Sequence, residues 1–76
     1  MTVSEAVAER IIDLCDERNI TINKLCTISA VTQSTVNDII NNRSKNPGVG
    51  TIKKLCDGLS ITVRDFFDSD IFSNID

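Results

Sequence analysis

Residues 21–41 read TINKLCTISAVTQSTVNDIIN, and the fold turns on how this stretch divides. Thr21 has the side-chain oxygen of an N-cap, and Ile22, Leu25 and Cys26 after it share one side of a short helix. Ser29, Ala30 and Val31 turn the chain, and Thr32 caps a second helix. In that helix Val36, Ile39 and Ile40 fall on one side, while Gln33, Ser34, Asn37, Asp38 and Asn41 fall on the other. One face is apolar enough to join a core and the opposite face is wholly polar.

The flanking sequence extends the same pattern. Val3, Val7, Ile11, Leu14 and Cys15 recur at helical spacing, which predicts a first helix from Ser4, as N-cap, to about Arg18, with Glu5 favourable in its first turn and Asn19 ending it. Asn41 and Asn42 suit the end of the polar-faced helix, because Asn tolerates the left-handed conformation. Arg43 to Pro47 then forms a polar loop. Gly48 opens a fourth helix whose stripe is Val49, Ile52, Leu55, Cys56 and Leu59. Thr62 and Asp65 form a near capping box for a short fifth helix that turns Phe66 or Phe67 inward. Strand alternation is brief and the three glycines are read at turns or helix starts, so the expected class is all-α with five short helices. There is no internal repeat or low-complexity segment.

Length and composition bound the function. Seventy-six residues suit one small domain. With 41% apolar and 25% charged residues, the composition is that of a folding chain. There is no histidine, and Cys15, Cys26 and Cys56 match no paired zinc spacing. Neither a metal nor another cofactor is expected, and the cysteines read as small core residues. The odd cysteine count and the lack of a long apolar run favour a reducing cytoplasm and no membrane insertion. Without a histidine, a glycine-rich phosphate loop or a nucleophile beside a base, no enzyme is expected.

The net charge of −3 is unevenly spread. Residues 1–18 carry −3, residues 19–54 carry +4 with Asp38 as their only acid, and residues 55–76 carry −4. Such a chain can turn one cationic face to a polyanion and its acidic ends to water. A short helix, a tight turn and a second helix with a polar outer face make a helix-turn-helix, in which the second helix enters the DNA major groove. Gln33, Ser34, Asn37 and Asp38 would meet base edges there. Gln and Asn suit adenine, Ser donates or accepts, and Asp accepts from cytosine N4. Arg43, Ser44, Lys45 and Asn46 would reach the flanking phosphates. An amphipathic helix followed by a solvated loop gives the same pattern, so the pattern alone leaves both readings open.

The blocks TINKLC at 21–26, AVTQSTV at 30–36, NRSKNP at 42–47, TIKKLCDGLSI at 51–61 and Phe66-Phe67 resemble, in order and spacing, the Cro/XRE-type, lambda-repressor-like helix-turn-helix domain. The resemblance covers roughly residues 7 to 67. It implies a five-helix DNA-binding domain in transcription control, usually paired on a two-fold-symmetric operator and most often a repressor. Carried over by position, it places Gln33, Ser34, Asn37 and Asp38 toward bases, and Thr21, Thr35, Arg43, Ser44, Lys45 and Asn46 toward phosphates. Three positions depart from the family habit. Ile22 stands where Gln often bonds a phosphate, Ile40 where Glu is frequent, and Asn42 where Gly commonly ends the recognition helix.

Residues 1–67 are thus read as the DNA-binding domain and 68–76 as a tail. Ile71, Phe72 and Ile75 share a face if the tail is helical, and with Phe67 they could form a dimer contact or a patch for a protein partner, in the manner of an antitoxin or anti-regulator. Equally, Phe72 could fold back to cover the core beside Phe67.

Overall fold

In a computed structural model describing residues 1–43 and 46–75, the chain is all-helical and shows no strand among the described residues. The helices are α1 (Val3–Glu17), α2 (Ile22–Ser29), α3 (Gln33–Ile40), α4 (Val49–Leu59) and α5 (Val63–Phe67), followed by a 3₁₀ turn over Asp70–Asn74.

Threonine side chains start four of the five α-helices. Thr21, Thr32 and Thr62 accept hydrogen bonds from the amides of Lys24, Thr35 and Asp65. At α1 the cap is Thr2 rather than the expected Ser4, with Glu5 closing a capping box back onto the Thr2 amide. The reason is spacing: Thr2 has a glutamate three residues on, whereas Ser4 has Val7 there. Gly48 precedes α4 with no side-chain cap.

The helix ends also share one device. Asn19, Ala30, Asn42 and Ser60 adopt left-handed φ values of 53°, 55°, 59° and 58°. The residue after each donates its amide to the carbonyl five positions back: Ile20 to Cys15, Val31 to Cys26, Arg43 to Asp38, and Ile61 to Cys56. These are Schellman closures, which satisfy carbonyls that the helix leaves without partners. Ile20, Val31 and Ile61 pack their side chains against the core, as the motif usually requires. Arg43 does not.

The core gathers the predicted stripes. Val7, Ile11, Leu14 and Cys15 of α1 meet Leu25 and Cys26 of α2, Val36 and Ile39 of α3, Ile52, Leu55, Cys56 and Leu59 of α4, and Phe66 of α5. Phe66 is fully buried while Phe67 is 39% exposed, which resolves the choice between them. Val49 falls outside the core despite its place on the α4 stripe, because it is the first residue of that helix and projects beyond it, 75% exposed. Gly50 is the second residue of α4, at a helix start as read, whereas Gly58 lies inside the last turn of that helix and not at a turn or helix start. All three cysteines are free and buried, and burial pushes each thiol's pKa above its ordinary value.

Helix pairing sets the position of the polar face. The main packing pairs are α2 with α4 and α1 with α3, so each arm of the central helical pair rests on a different outside helix. Arg10 of α1 ties in α5, donating through Nε to the Phe66 carbonyl at 2.7 Å and through Nη2 to the Asp65 carbonyl at 2.9 Å. The 3₁₀ turn lies on α1. Its Phe72 ring sits 4.8 Å from Phe67 and 6.2 Å from Phe66, centroid to centroid, so it adds to the core margin. Ile71 is half-buried and Ile75 is 37% exposed.

Candidate nucleic-acid interface

Burying Val36 and Ile39 fixes which way α3 faces, leaving Gln33, Ser34 and Asn37 exposed on its outer side. Asp38 is half-exposed beside them. Ile40, in the position where the family often carries Glu, is partly buried and packs on the core. The same is true of Ile22, so that residue serves packing.

The outward residues are held from both ends of α3. At its start the Thr32 and Thr35 hydroxyls lie 2.8 Å apart, and the Gln33 side-chain amide donates to Asn23 Oδ1 of α2. Asn23 did not stand out in the sequence, where it is one polar residue in the first turn of α2. Its link to Gln33, ten residues away, exists only because the turn brings the two helix starts together. With one Nε2 hydrogen engaged, Gln33 keeps its Oε1 and a second N–H, the acceptor and donor needed for adenine.

At the other end, Asn41 Nδ2 donates to the Asn37 carbonyl at 2.8 Å. Arg43 Nε donates to Asp38 Oδ1 at 3.1 Å, forming an ion pair. Thr21 is exposed, with its oxygen used in capping α2, and Thr35 is half-buried. Asn46 is exposed in the loop. Ser44 and Lys45 lie outside the described residues. On α4, Lys53 is paired with Asp57 one turn on. None of the helices described is long and apolar enough to cross a membrane.

A two-helix unit with a polar outer face on its second member, stabilised by three surrounding helices, is the expected helix-turn-helix arrangement. The family model for the Cro/C1-type HTH DNA-binding domain matches residues 10–70. The chain belongs to the Cro/C1-type helix-turn-helix family. Among solved structures, the Cro/C1-type domain is similar to the crystal structure of the prophage Lp1 protein 11, at 40% identity and a TM-score of 0.86, with 99% of each chain covered. No curated protein matches it. The family match takes in α2, α3 and the loop between α3 and α4, so the candidate interface lies wholly within it.

Proposed function

We propose that this Cro/C1-type domain is a transcriptional repressor of the phage type, acting by occupying a promoter as a homodimer. The observation that carries this reading is the outer face of α3, where Gln33, Ser34 and Asn37 present hydrogen-bonding groups while Val36 and Ile39 beneath them are almost completely buried. In a major groove such a helix directs the side chains of its first turns at base edges. Thr21, Thr35 and Asn46 serve phosphate contacts beside that face, and the sequence assigns Ser44 and Lys45 the same role.

Dimerisation follows from the size of the reading head. An eight-residue helix reaches only a few base pairs, too few to single out one site among many competitors. Pairing two such helices about one turn of DNA apart, roughly 34 Å, doubles the site. The prophage origin of the structural relative favours the phage setting.

The test is selection of bound duplexes from a random library at about 150 mM salt, where non-specific phosphate attraction is already weakened. A two-fold-symmetric site with half-sites one turn apart is the expected result. Failure of the folded protein to enrich any sequence overturns the reading, and enrichment of a single half-site overturns the dimer.

A further inference from the structure

We infer that Asp38 and Arg43 form a single unit that reads a G·C base pair, with Arg43 donating to guanine and Asp38 as its positioning residue. The inference rests on the DNA-binding reading above and goes beyond it by naming the base pair and the two residues that select it.

The first observation is the exceptional end of α3. Four helices close with the same left-handed residue and the same five-back amide bond, and in three of them the next side chain is an isoleucine or valine packed on the core. In α3 that position is Arg43, whose side chain stays 64% exposed. Its backbone amide is fixed on the Asp38 carbonyl at 2.8 Å, which brings the two side chains together at 3.1 Å. The apolar contact that normally completes the closure has been exchanged for an ion pair on the polar face.

The fold gives Asp38 little reason to be there. An acid in the last turn of a helix faces the negative end of the helix dipole, and an exposed ion pair contributes little to stability. For general DNA attraction it is also unfavourable, since it is the only acid between residues 19 and 54.

For base reading the pair is well formed. A guanidinium held at Nε keeps both terminal amino groups, which match guanine O6 and N7 in a bidentate bond. Asp38 Oδ2 is left as an acceptor beside them. Across the major groove a G·C pair presents acceptor, acceptor and donor, the last being cytosine N4. Two amino groups and one carboxylate oxygen supply the complement. Holding Nε also limits the rotation that would otherwise carry the guanidinium to a phosphate.

The test repeats the duplex selection with the full chain as wild type, Asp38→Ala and Arg43→Lys. Lysine keeps the charge for a phosphate but lacks the planar fork. The wild type is expected to enrich a half-site with an invariant G·C pair. Each variant is expected to lose about tenfold of the preference for that pair, while positions read by Gln33 keep theirs. Asp38→Ala is also expected to bind duplexes lacking the site at least as tightly as the wild type, because a negative charge is gone, and to melt at an unchanged temperature. Uniform weakening by Arg43→Lys with every base preference intact would make Arg43 a phosphate ligand and overturn the inference. Retained preference in Asp38→Ala would overturn the positioning role. No enrichment by the wild type overturns the DNA reading itself.

Discussion

Gly58 of α4 lies so close to Ser29 of α2 that a methyl group in place of its hydrogen would sit 2.9 Å from the Ser29 Cα. The two helices pack together at this point, and the buried Ser29 Oγ has no hydrogen-bond partner among the described residues. Gly50, eight residues earlier in the same helix, has open space around it. Alanine favours an interior helical position over glycine by about 1 kcal/mol. Gly50 is the second residue of α4, where that gain is smaller but unopposed, so Gly50→Ala should stabilise the domain by about 0.5 kcal/mol. At Gly58 the new methyl meets backbone, and overpacking of about 1–3 kcal/mol outweighs the gain. Urea unfolding of the two variants checks the opposite signs. Ser29→Ala should raise stability by about 1 kcal/mol, because it removes a buried hydroxyl without a hydrogen-bond partner among the described residues.

The amide pair of Asn23 and Gln33 predicts coupled effects on DNA recognition. Gln33→Ala should cost about 1–3 kcal/mol on the selected site and relax sequence choice at one position. Asn23→Ala should relax the same position by a smaller factor, and the double variant should lose less than the sum of the two. Lys45→Ala should instead weaken all duplexes alike and lower the salt slope by about one unit. Titrations on the selected duplex and on a scrambled one, at several salt concentrations, separate these patterns.

Two capping boxes give the domain an acid-sensitive component. The Thr2 amide, and then its hydroxyl, hold the Glu5 carboxyl below its ordinary pKa of 4.5. At Asp65 the Thr62 amide and hydroxyl act in the same way against an ordinary value of 3.8. Because the folded values are lowered, the stabilisation is complete above the ordinary values. It is lost as pH falls below them through the folded values. Glu5→Gln and Asp65→Asn should therefore lower stability at pH 7 and flatten its fall below about pH 4.5, so that variants and wild type converge in acid. Thermal melts across that range test this.

Arg10 bridges α1 to the end of α5 through two charge-assisted bonds to main-chain carbonyls. Arg10→Met keeps much of the side-chain volume and removes both bonds, with an expected loss of about 2–3 kcal/mol. Arg10→Lys should recover only part, since one ammonium cannot reproduce the two-pronged geometry. Denaturant midpoints of the three proteins give the comparison.

Local signals carried the helices of this fold. Thr21, Thr32 and Thr62 are caps that any reader of the sequence can find, because capping depends on a residue and its neighbours three positions on. The same rule, applied to Thr2 and Glu5, would have placed the start of α1 correctly. Hydrophobic spacing could not separate Phe66 from Phe67, which are adjacent and chemically identical. Nor could it show that Val49 projects past the core, which depends on where the preceding loop leaves α4. The outward face of α3 was legible from its period. The bonds that give that face its order, Asn23 to Gln33 and Asp38 to Arg43, join separate elements and arise only once the turn and the helix end have formed. The Phe72 ring is similar: its apolar character is plain in the sequence, but its place beside Phe67 is set by tertiary packing.

Because α2 rests on α4 and α3 rests on α1, the helix-turn-helix pair takes most of its support from outside partners. A peptide spanning only those two helices would keep the Gln33–Asn23 bond but lose the packing beneath both, so by itself it should not hold the arrangement. Under the proposed reading, new sequence preferences would instead be reached by repainting a few outward side chains on an otherwise unaltered chassis, with Gln33, Ser34, Asn37, Asp38 and Arg43 as the exchangeable letters. The inheritable unit of recognition here is the whole helical assembly, and its vocabulary is confined to one surface.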